Sequence, residues 1–117
     1  MSTTTTATTT STTPPIQRIT LFKIPSPTDE EALLSIYNTM QSSALKDGKP
    51  YILSVTAGRS LPSQRDQGYT IAVISVFASR EDMLYYDEEC GAHGKLKAFA
   101  KGVHEGAMMV YFESVTS

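Results

Sequence analysis

The chain has 117 residues, room for one hydrophobic core and too few for two. A formal charge of −2, with ten Lys and Arg spread along the chain, supplies no positive field to gather phosphates, so nucleic acid is excluded as the expected partner. Apolar residues at 40% and charged residues at 19% are those of a globular protein, and no apolar run reaches the roughly 18 to 20 residues of a membrane helix.

Nine of the first thirteen residues are Thr, and Pro14-Pro15 closes the segment. Residues 1–15 therefore hold too little apolar surface to offset the entropy of ordering them and are expected to form a disordered tail, leaving 16–117 as the single domain. The tail has neither an apolar h-region nor an Arg-rich amphipathic face, so no export is implied. The lone cysteine, Cys90, can form neither an internal disulfide nor a CxxC site. A cytoplasmic location is expected.

Ile16 to Ile24 sets Ile19 and Leu21 against Thr20, Phe22 and Ile24, apolar on both faces, as in a strand covered on each side. A helix follows, started either by Ser26 with Pro27 at its first position or by a Thr28 and Glu31 capping box. Its stripe of Leu33, Ile36, Tyr37, Met40 and Ala44 needs a partner surface, and Asp47-Gly48 is expected to end it. Tyr51 to Gly58 reads as the second strand and Arg59 to Gly68 as a loop. Tyr69 to Phe77 is the strongest strand in the chain, placed at the sheet centre. Ser79-Arg80-Glu81-Asp82 opens a short helix through Met83, Leu84 and Tyr86, which Gly91 interrupts. Leu96, Phe99, Ala100 and Val103 mark a further helix from about His93, and Gly102 or Gly106 releases the chain into a last strand, Ala107 to Glu113.

The order βαββ, helices, β is that of an α+β, ferredoxin-like unit with its helices on one sheet face. The strands are apolar on the other face too. One helical layer cannot cover both, so a second copy is expected to pack sheet against sheet as a homodimer.

Three segments resemble the stress-responsive A/B barrel family: RITLFKI at 18–24, GYTIAVISVFASREDMLYYDEECGAH at 68–93, and MMVYFES at 108–114. The likeness spans about 16 to 114. It implies a ferredoxin-like protomer that pairs with a second copy into a dimeric α/β barrel. Some plant members are polyketide cyclases, which close a linear polyketide by an intramolecular aldol reaction through a tyrosine and a histidine of the middle segment. Here those positions match Tyr86 and His93, with Tyr85 an alternative to Tyr86. The spacing is one residue longer than in those cyclases, and two further cyclase histidines correspond to Arg18 and Ile71 here. The likeness also places Tyr37 and Met40 of the first helix along a substrate cavity, with Tyr85 beside it.

His93 is the residue best suited to acid/base work, because imidazole titrates near neutrality and a helix start keeps it uncharged. Tyr86 is suited to donate a hydrogen bond to a carbonyl oxygen as an enolate forms. His104 and His93 lack a third ligand of matching spacing, so no metal is expected. No GxGxxG, GxxxxGK[ST] or GxSxG is present, and no cofactor is expected. Two readings remain: a homodimeric barrel whose mostly apolar pocket beside His93 binds a small hydrophobic or polyketide-like molecule for aldol-type cyclisation or lyase chemistry, and a non-catalytic stress-response or ligand-binding protein.

Overall fold

The computed structural model describes residues 14–116. The Thr-rich segment expected to be disordered lies, up to Thr13, outside the described residues. The chain runs β1 (Ile16–Lys23), α1 (Pro27–Ser43), β2 (Leu45–Lys46), β3 (Lys49–Pro50), β4 (Ile52–Arg59), β5 (Ile71–Phe77), α2 (Arg80–Glu88), α3 (Gly91–Val103) and β6 (Gly106–Glu113). The four long strands form one antiparallel sheet in the order β4-β5-β1-β6. This is the ferredoxin-like arrangement. Among the described residues no helix is long and apolar enough to cross a membrane.

Local chemistry fixes the helix ends. Of the two starts open to α1, the structure uses Ser26, whose hydroxyl accepts from the Asp29 amide at 3.4 Å, with Pro27 in the first turn. Ser79 caps α2 in the same way, accepting from the Asp82 amide at 3.1 Å. Helix α1 stops at Ser43, short of Asp47-Gly48. Those two residues have φ of 54° and 77°, left-handed at both positions, and they turn the small hairpin β2–β3. Asp-Gly favours such a turn because neither residue strongly resists positive φ. Gly102 lies within the last turn of α3; His104 caps that helix and Gly106 starts β6.

The core lies between the sheet and the helices. Leu33, Tyr37 and Met40 of α1 and Leu96 and Ala100 of α3 pack over Phe22, Ile71, Val73 and Phe77. Each large apolar side chain so buried contributes about 1.5–3 kcal/mol. Alternation makes Ile16, Arg18, Thr20 and Phe22 the helix-facing set of β1, with Ile24 buried just past its end, and Ile71, Val73, Ser75 and Phe77 that of β5.

The opposite face carries apolar rows in register. Ile74, Ile19 and Val110 stand side by side, and so do Ala72, Leu21 and Met108. Ile74 is 44% exposed and Val110 52%, because no helix covers this side.

Candidate functional site

Residues from three elements meet beside β1. Helix α2 ends at Glu88, and the amides of Glu89 and Cys90 both donate to the Tyr85 carbonyl, at 2.8 and 3.0 Å. That tight turn folds α3 back so that His93, in its first turn, lies under Tyr86. The two rings stack at 3.6 Å between centroids with 10° between their planes.

The proton on His93 can be placed. Its Nδ1 lies 2.9 Å from the Tyr86 backbone oxygen, and a carbonyl only accepts, so Nδ1 carries the hydrogen and Nε2 the lone pair. Nε2 has no hydrogen-bond partner among the described residues. Burial chiefly lowers the pKa of the ring, to about 4; the Tyr86 carbonyl works in the opposite direction and the Arg18 charge in the same one. The imidazole is therefore neutral at pH 7, as expected, but burial is the main cause.

Arg18, only 7% exposed, is the buried cation of this region. Its Nη1 lies 2.8 Å from each carboxylate oxygen of Asp87. The guanidinium also faces the Tyr86 ring, 5.2 Å from its centroid. Asp87 Oδ1 is in turn 3.7 Å from His93 Nδ1. The Asp87 carboxylate thus neutralises Arg18 and stands ready to favour an imidazolium formed in passing.

A cavity of about 230 Å³ opens here, lined by Arg18, Thr20, Phe22 and Tyr37 on one side and by His93, Leu96, Lys97, Ala100 and His104 on the other. Two larger grooves, of about 600 and 590 Å³, follow α1 on the surface. The smaller cavity is the candidate site because the buried titratable groups converge on it.

The residues singled out in the sequence divide among these places. His93 and Tyr37 line the cavity. Tyr86 is 2% exposed and reaches it only through the stacked His93, with Phe77 at 5.2 Å closing another side. Burial holds both the Tyr37 and Tyr86 hydroxyls well above the usual tyrosine pKa, so both stay protonated. Met40 lines one of the α1 grooves, with Ile36 and Gly91. Tyr85 is turned toward the β2–β3 hairpin, its hydroxyl donating to the Leu45 carbonyl at 3.2 Å and its ring set edge-on to Tyr51. Asp87 was not anticipated as a site residue, and Arg18 only as the position of a cyclase histidine. The available signal was Arg18 itself, a charged residue on the otherwise buried face of a strand.

A ferredoxin-like protomer whose mainly apolar cavity has a neutral, buried histidine in its wall defines the class as α+β, ferredoxin-like. Within it, residues 16–114 match the model of the stress responsive A/B barrel domain, and the chain belongs to that family. A protein of Gibberella zeae described as a fusaristatin A biosynthesis cluster protein is 38% identical over 99 residues, covering 84% of this chain and 72% of that protein. The fold is similar to that of hydroxynitrile lyase from Passiflora edulis (TM-score 0.75, 16% identity, 89% of this chain and 96% of that one). It is also similar to SnoaB, a cofactor-independent oxygenase from Streptomyces nogalater (TM-score 0.67, 10% identity, 89% and 96%). A dimeric ferredoxin-like protein from Thermobifida fusca has a TM-score of 0.71 at 17% identity, over 87% and 92% of the two chains.

Proposed function

We propose that this protein is a homodimeric barrel that binds a small polyketide-like molecule in the cavity beside His93 and cyclises it by cofactor-independent acid/base catalysis. The observation that carries the reading is the tautomer of His93, a cavity-lining residue, which leaves the lone pair on Nε2 without a hydrogen-bond partner among the described residues. Burial makes that nitrogen a weak base, so it matches only a carbon already acidified, such as a methylene between two carbonyls. Poly-β-ketone chains carry such carbons. Nε2 takes the methylene proton, and the enolate carbon attacks a second carbonyl of the same molecule. The alkoxide formed then regains a proton from the imidazolium. The Tyr37 hydroxyl, protonated and lining the same cavity, is the donor best placed to hydrogen-bond the enolate oxygen. Tyr86 holds the imidazole by stacking and by its backbone carbonyl.

The kinship with a biosynthesis-cluster protein supports a role in making a small molecule. The dimeric ferredoxin-like relative and the bare apolar sheet face support the homodimer. His93→Ala in the folded protein should lower turnover of a linear poly-β-ketone by about 10²-fold or more. Unchanged turnover would end the proposal.

A second reading, a non-catalytic ligand-binding protein, is favoured by Arg18, which pairs with Asp87 where the resemblance expects a further histidine. Native mass spectrometry of protein from its own source separates the two. An unmodified retained ligand and no cyclised product on incubation would favour the binder.

A further inference from the structure

Helix α3 and strand β1 run side by side along the cavity. At one end His93 stands near Arg18, through Asp87 and Tyr86. At the other end the His104 ring rests on Phe22, 6.1 Å between centroids. Eleven residues separate the two histidines. At 1.5 Å and 100° per residue that is about 16 Å along the helix and slightly more than three whole turns, which returns both to one face. The cavity of about 230 Å³ is lined by both histidines, with Phe22, Leu96 and Ala100 also in its wall.

The two ends differ in chemistry. The Arg18 charge is already matched by Asp87, and Lys97, the other cation at that end, donates to the Asp87 backbone carbonyl. Lys101, which also lines the cavity, has no ion pair among the described residues. His104 Nδ1 is shielded from solvent and has no hydrogen-bond partner among the described residues. A neutral imidazole has one N–H, and burying a donor without a partner is costly. The proton therefore belongs on Nε2, making that atom a donor. The His104 end thus offers an N–H and an ammonium group, and no carboxylate lines that part of the cavity.

We infer that the cavity takes an elongated chain ended by a carboxylate, the anion held by Lys101 and His104 about two to three helical turns from His93, so that chain length sets which carbon reaches Nε2. The inference rests on the ligand-cavity reading above and adds the class and orientation of the ligand.

Isothermal titration of the full chain with octanoate and with octan-1-ol tests it without any need for turnover. Octanoate should bind about tenfold tighter or better than the alcohol, a difference that charge-assisted hydrogen bonds can supply. In Lys101→Met and in His104→Leu the preference should shrink to about twofold or less, whereas His93→Gln should keep it. Lys101 is exposed, so its substitution carries the test even where the His104 variant fails to fold. Equal affinity for the two probes in the unaltered protein would overturn the inference and leave His93 catalysis standing. A preference that survives both substitutions would overturn it as well, because the carboxylate would then sit at the other end, at Arg18 or Lys97. Failure of both probes to bind would remove the inference together with the cavity reading.

Discussion

The His93 ring is 4% exposed, with Tyr86 against its face, and that enclosure has a thermodynamic signature. In the unfolded chain the imidazole titrates near 6.5 and in the native protein at about 4. Between those values the unfolded chain holds a proton that the native state does not, so acid favours unfolding. This contribution is fully present above about pH 6.5 and is lost as the pH falls toward 4, amounting to about 3 kcal/mol over the window. Urea denaturation of the unaltered protein and of His93→Gln at pH 7 and pH 4.5 isolates it from the carboxylates, which titrate in both. The variant should lose less stability on acidification. Equal losses would mean that His93 is not held neutral by burial.

At the level of elements, the site depends on the elbow between α2 and α3. Helix α2 supplies Tyr86 and Asp87, and the two-residue turn Glu89–Cys90 brings His93 back beneath them. A helix of nine residues has little stability of its own, so its cap matters. Ser79→Ala removes the acceptor for the Asp82 amide and should cost about 1 kcal/mol, read as a lower urea midpoint with an unchanged m-value. Because the elbow orients His93, the same variant should also speed amide exchange at Tyr86 and Asp87. Unaltered exchange there would separate the cap from the site.

At the scale of the whole molecule, the bare sheet face is the feature that one protomer leaves unsolved. Val110 lies in its middle row beside Ile19, which is flanked on its other side by Ile74. A carboxylate placed there would be desolvated without a counter-charge in a sheet-to-sheet dimer, yet would sit in water in a monomer. Val110→Asp should therefore move the protein from dimer to monomer in analytical ultracentrifugation at about 10 µM, with the monomer still folded, since burying an unpaired charge costs several kcal/mol. An unaltered protein that sediments as a monomer would dismiss the dimer.

The sheet and its helices were legible in the residues because periodicity and capping are local. Ile16 to Ile24 alternates whatever it packs against, and Ser26 and Ser79 announce their helices from within one turn. The bare face was legible for the same reason, since strands apolar on both sides need two covers. The β2–β3 hairpin was missed: Asp47-Gly48 serves equally as a helix stop or a hairpin turn, and only the pairing of Lys46 with Lys49 decides between them. The site was half legible. His93 carried a signal of its own, the chemistry of its ring. Its tautomer, its neutrality and its partners arise from contacts across the fold: Arg18 meets Asp87 from 69 residues away, and the Tyr86 carbonyl meets the ring across a turn. Sequence alone determined which stretches must be strands and helices and which faces must be buried, because those follow from spacing along the chain. Tertiary structure decided which tyrosine faces the cavity and where the charge of Arg18 is spent, because those depend on distances that spacing does not encode.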